Sequence, residues 1–141
     1  MFGCHSPRLS RLYEAEPEPR ARRETILLVE DEPAVRQLFA LALTRAGYRV
    51  HEARNGREAL LVFDEHGEAI DLVLTDMRMP VMGGGELVRQ LRSRGCRVKL
   101  LCISGYAGEE AAFPGEFLAK PFSRNELLAK VREVLDSGEG G

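Results

Sequence analysis

The sequence predicts an α/β domain built on a parallel sheet with helices on both faces. Short apolar runs alternate with amphipathic stretches at helical spacing. The runs are nearly continuous in Ile, Leu and Val, as expected of strands buried on both sides. The strand-then-helix unit recurs about five times, and such repeated crossovers lead to a parallel sheet.

Thr25-Ile-Leu-Leu-Val29 reads as the first strand and runs into Glu30, Asp31 and Glu32. Pro33 suits the first turn of a helix, and Val35, Leu38, Phe39, Ala42 and Leu43 follow on one face until Gly47. Tyr48 to Ala53 is a shorter, more polar strand. Asn55 caps a helix carrying Ala59, Leu60 and Phe63, which ends near Gly67. Asp71-Leu-Val-Leu-Thr75 is the next buried strand, ending on Asp76. A loop, Met77 to Gly85, leads to a helix with Leu87, Val88 and Leu91. Val98 to Ile103 is a strand ending on Ser104. Phe117-Leu-Ala119 is a short strand ending on Lys120-Pro121. Ser123-Arg-Asn-Glu126 is a capping box that opens a last helix with Leu127, Leu128, Val131, Val134 and Leu135.

The chain has 141 residues, which fits one ordinary domain and a tail. Residues 1–24 hold Pro7, Pro17 and Pro19, with five Arg and four Glu, and read as a flexible linker or tail. Residues 25–136 form the folded unit, and 137–141 are expected to fray as a disordered fringe. On this division nothing is left over for an output domain. The formal charge of −2 argues against direct nucleic-acid binding. No apolar stretch approaches the ~20 residues of a membrane span, and Met1 to Leu12 lack the core of a signal peptide. No membrane partner is expected, and the expected location is the cytoplasm. Cys4, Cys96 and Cys102 have no CxxC spacing and read as ordinary thiols. His5, His51 and His66 are scattered and read as surface residues.

In a parallel sheet, ligands bind at the carboxyl ends of the strands. That rule selects Glu30, Asp31, Asp76, Ser104 and Lys120, which four strand ends bring to one edge. Crowded carboxylates resist ionising together unless a cation neutralises them. A hard divalent ion does so and keeps sites for phosphate oxygens. A carboxylate can serve as nucleophile and form an aspartyl phosphate, a lysine can neutralise a phosphoryl oxygen, and a hydroxyl can donate to another.

Ile26-Leu-Leu-Val-Glu-Asp-Glu-Pro33, Leu72-Val-Leu-Thr-Asp-Met-Arg-Met-Pro80, Ser104-Gly-Tyr106 and Phe117-Leu-Ala-Lys-Pro-Phe122 together resemble the motifs of the response-regulator receiver domain of two-component signalling. The neighbourhood of the last two is similar to the C-terminal receivers of hybrid histidine kinases. The resemblance spans residues 25–136. It implies a flavodoxin-like, doubly wound five-stranded sheet in the order 2-1-3-4-5. It implies Asp76 as phosphoacceptor and Mg²⁺ (or Mn²⁺) as cofactor. The metal would be held by Glu30, Asp31, Asp76 and the backbone carbonyl of Arg78. Ser104 and Lys120 would contact the phosphoryl group, Ser104 and Phe117 would form the switch pair, and the Lys120–Pro121 peptide would be cis. The implied partners are a histidine kinase or histidine phosphotransfer protein and a downstream protein target. The implied role is regulatory, with only weak self-catalysed phosphotransfer and autodephosphorylation.

Several positions depart from the family pattern. Glu30 stands where Asp is commonest, and Phe117 lacks the hydroxyl of the alternative Tyr. Gly83 replaces a frequent Asp, so Gly83-Gly-Gly85 is expected to be loose and to lack a side-chain cap. Only twelve residues separate Ser104 from Phe117, and Pro114 and Gly115 limit the fourth helix to about Gly108 to Ala112. Two other readings compete. A detached receiver or a fragment of a hybrid kinase fits the Pro/Glu-rich tail. An Asp-nucleophile phosphatase of the haloacid-dehalogenase type fits poorly, because the general acid two residues past the nucleophile is replaced by Arg78.

Overall fold

The computed structural model of the chain describes residues 24–105 and 115–137. Five strands, β1 (Thr25–Val29), β2 (Arg49–Ala53), β3 (Leu72–Asp76), β4 (Lys99–Ser104) and β5 (Glu116–Ala119), form one parallel sheet in the order β2-β1-β3-β4-β5. The helices are α1 (Pro33–Arg45), α2 (Gly56–His66), α3 (Gly84–Ser93) and α4 (Arg124–Asp136), with a 3-10 turn at Gly67–Ala69. The fold is the expected doubly wound sheet. The short helix expected at Gly108 to Ala112 lies outside the described residues, as do residues 1–23 and 138–141.

Alternation along the strands divides the core in two. Leu27, Val29, Val73, Leu100 and Cys102 face one side, where Ala59, Phe63, Leu87 and Leu91 of α2 and α3 cover them. Ile26, Leu28, Leu72, Leu74, Leu101 and Ile103 face the other, under Leu43 of α1 and Leu127, Val131 and Val134 of α4. The central strands β1 and β3 are buried at every position, whereas β2 at the sheet edge is half exposed.

Local signals set the helix ends. Pro33 occupies the start of α1, and Gly47 takes a φ of 107° where the chain turns back into β2. The Asn55 side chain accepts from the Glu58 N–H at 2.9 Å. Both bonds of the Ser123–Glu126 capping box are formed.

Three details differ from the sequence reading. β3 begins at Leu72, because the Asp71 N–H donates to the Thr25 carbonyl and the Asp71 carboxylate accepts from the Thr25 N–H, both at 2.8 Å. Glu24, assigned to the tail by composition, is tied to the domain: its carboxylate accepts from both terminal nitrogens of Arg132 at 3.1 and 2.9 Å. Cys96 is disulfide-bonded, which corrects its reading as an ordinary thiol. Among the described residues no helix is long and apolar enough to cross a membrane.

Candidate functional site

The strand register gathers the predicted residues. Val29 pairs with Thr75, Asp76 with Ile103, and Ser104 with Ala119, so successive strands end at nearly the same level. Glu30 and Asp31 leave β1, Asp76 ends β3, Ser104 ends β4, and Lys120 follows β5. Carboxylate oxygens of Glu30, Asp31 and Asp76 all lie within 4.8 Å of one another. The Lys120 Nζ stands 3.7 Å from Asp76 Oδ2. The Lys120 N–H donates to the Ser104 carbonyl at 2.9 Å, and the Lys120–Pro121 peptide is cis.

Three negative groups at this spacing, with one ammonium at the side, leave an excess of negative charge. Glu30 among them is 4% exposed. Burial first, and then the neighbouring Asp76 and Asp31 charges, push its carboxyl up to about 7, against the lowering effect of the Glu32 backbone N–H. That N–H donates to Glu30 Oε2 at 3.1 Å. The donor set is all oxygen and acidic, which suits a hard divalent cation.

Phe117 is half buried and packs on the α2/α3 side of the core. It pairs with Cys102, and Ser104 lies two residues further along β4, on the same face of the sheet. The two switch candidates are therefore near neighbours on one sheet face.

The loop after Asp76 is closely packed, contrary to the expectation of a loose glycine run. A Cβ on Gly83 would stand 2.8 Å from the Met77 carbonyl oxygen, and one on Gly84 would stand 2.7 Å from that of Asp76. The Gly84 N–H donates to the Met77 carbonyl at 3.0 Å, which closes the turn. Gly83 caps α3 without a side-chain bond, as expected. The Gly56 N–H at the start of α2 donates to the Met82 carbonyl at 2.9 Å, and a Cβ there would meet the Met82 side chain. Val81 holds a φ of 69°, a left-handed conformation that β-branched residues rarely adopt. Arg78 is exposed on this loop.

Two contributions were not anticipated. Arg36 of α1 donates from Nη1 to the Glu30 carbonyl at 2.8 Å and from Nε to Glu52 at 3.2 Å, fixing the turn that carries the acidic pair. Its only sequence sign is its place one turn into the helix that follows Glu30. His51 and His66, read as scattered, are stacked on one another.

Residues 26–132 match the family model described as the response regulator receiver domain. The chain belongs to this family. It is 40% identical over 154 aligned positions to the sensor kinase CckA of Brucella abortus (strain 2308), covering 96% of this chain but 16% of that kinase. It spans about half or less of other curated relatives. Among solved structures, it resembles the receiver domain of the hybrid histidine kinase CckA, with 37% identity, a TM-score of 0.70 and coverage of 79% of this chain and 99% of that one. It also resembles the response regulator TrrA of Thermotoga maritima in complex with Mg²⁺ and BeF, with 32% identity, a TM-score of 0.70 and coverage of 79% and 98%. This is a receiver domain of two-component signalling, and a phosphoacceptor role is general to the family. Receivers as a class are regulatory and interact with histidine kinases or phosphotransfer proteins.

Proposed function

We propose that residues 25–136 act as a receiver that takes a phosphoryl group from a phosphohistidine onto Asp76. The observation that carries this is the cluster of Glu30, Asp31 and Asp76 within 4.8 Å, with Lys120 at 3.7 Å from Asp76. An Asp76 carboxylate oxygen attacks phosphorus, the bond from phosphorus to the imidazole nitrogen breaks, and the electron pair returns to the ring. Glu30, Asp31, Asp76 and the Arg78 carbonyl would hold Mg²⁺ or Mn²⁺. When bound, the ion neutralises the carboxylates and the phosphoryl oxygens. Lys120, 3.7 Å from Asp76, supplies a second positive charge to the phosphoryl group. Ser104 donates its hydroxyl to the phosphoryl group, and Phe117, on the same sheet face, follows it inward. Phosphorylation then acts by favouring one surface arrangement over another.

Weak self-catalysed phosphotransfer and hydrolysis are part of this reading, and the site is set in a cytoplasmic chain. The donor is a histidine kinase or a phosphotransfer protein, and the recipient of the signal is another protein rather than nucleic acid. Likeness to the CckA receiver supports a second context, in which the chain is the receiver of a hybrid kinase, detached or as a fragment.

The test is transfer from a histidine kinase autophosphorylated with labelled ATP. Label should pass from the kinase to this chain in the presence of Mg²⁺ and not with a chelator. Retention of all label on every kinase tried, with the chain folded, counts against the proposal.

A further inference from the structure

Away from the acidic edge, the rings of His51 and His66 lie parallel, with centroids 4.4 Å apart and planes 15° apart. His51 belongs to β2, an outer strand of the sheet, and His66 is the last residue of α2. The stack therefore joins a half-exposed edge strand to the end of the helix that covers it. The geometry points to a proton-sensitive clasp: the neutral, stacked imidazoles seat the C-terminal turn of α2 on β2, and double protonation releases it.

The pair is not arranged as a chelate. An imidazole lone pair lies in the plane of its ring, so two nearly parallel stacked rings do not aim their nitrogens at one ion. Among the described residues, the one cluster of acid, Cys and His ligands with metal-binding spacing is the Glu30, Asp31 and Asp76 set.

Two imidazolium charges at this separation repel, and histidine is the side chain whose ordinary titration spans neutral pH. Several charged groups surround the pair. On β2, Arg49 shares the sheet face of His51. On α2, Glu65 Oε1 lies 3.5 Å from His66 Nε2, and Asp64 is ion-paired with Arg94 from beyond α3. Glu68 of the 3-10 turn lines the same concavity as His66, Glu65 and Arg94. At His51 the effects that register are burial first and the charge of His66 second, and both hold its imidazole below the ordinary range. The sign follows. A base held low in the fold binds its proton more readily unfolded, so stability is lost as pH falls below the ordinary histidine value. The loss should appear first where the rings meet, in the last turn of α2, as local opening.

The test is NMR on the whole chain between about pH 8 and about pH 5, the span over which imidazoles titrate. Ring resonances report protonation, and amide exchange of Phe63 to Gly67, corrected for intrinsic rate, reports opening. The expected result is a loss of protection in the wild type toward acid, confined to the last turn of α2. His66→Phe, which keeps a flat ring without a charge, should retain protection at both ends. His66→Ala should lack it at both, and His51→Phe serves as a second non-titrating variant. Wild-type protection that does not change across the range, or a His66→Phe chain that loses protection with acid as wild type does, overturns the clasp.

Discussion

The Lys120 ammonium stands 3.7 Å from Oδ2 of Asp76, while the Lys120 backbone N–H is held by the Ser104 carbonyl. One residue thus ties the end of β5 to β4 and aims a positive charge at the end of β3. The Lys120 side chain is 48% exposed, so it is available to an incoming anion and contributes little to the core.

Lys120→Met should therefore leave the fold intact and slow phosphorylation of Asp76. Loss of one preorganised electrostatic contact to the reacting group slows such reactions on the order of a hundredfold. Stopped-flow labelling with a small phosphodonor measures the rate, and circular dichroism checks the fold.

Glu30 makes stability depend on pH in a defined direction. Its carboxyl is raised in the fold to about 7 from 4.5. Below the lower value both folded and unfolded chains keep the proton, and the benefit of the neutral form is fully present. As pH rises the unfolded chain gives up the proton first, so this contribution is lost progressively up to the folded value. Without divalent cations, stability should fall over this window. Glu30→Gln should remove the slope, and added Mg²⁺ should raise the melting temperature most at the alkaline end. Thermal denaturation at several pH values, with and without Mg²⁺, measures all three effects. This dependence is opposite in sign to that of the His51–His66 pair.

Gly84→Ala should destabilise the domain by about 1–3 kcal/mol, the usual cost of forcing atoms into a packed site. The added Cβ would stand 2.7 Å from the Asp76 carbonyl oxygen, with the backbone and Thr75 also close. Because the displaced group is the backbone of Asp76 itself, phosphorylation should slow as well. Gly85→Ala is the control, since its Cβ meets only the tip of Met77 at 4.0 Å. Chemical denaturation compares the two.

Much of this architecture is legible locally. Ser123 and Glu126 form both bonds of a capping box, and Ser123→Ala should cost about 1 kcal/mol by denaturant melting. The apolar run of β1 and the helical spacing after Pro33 likewise depend only on near neighbours. The acidic edge was legible because parallel strands must end together, so residues that follow strands converge. What stayed hidden depends on approach through space. Gly83 and Gly84 are compact because the chain folds back on the carbonyls of Met77 and Asp76, which composition alone reads as looseness. Glu24 meets Arg132 across a separation of 108 residues, beyond any periodicity. The His51–His66 stack needs the crossover of α2 over the sheet edge before the rings can meet.

The most direct test is site-resolved mass spectrometry after exposure to a small phosphodonor with Mg²⁺. One added phosphoryl group is expected, mapped to Asp76 in the wild type, dependent on the metal, and absent from a folded Asp76→Asn chain. A folded Asp76→Asn chain that gains the same adduct as wild type, or a wild-type adduct that forms equally well with metal chelated, would contradict it.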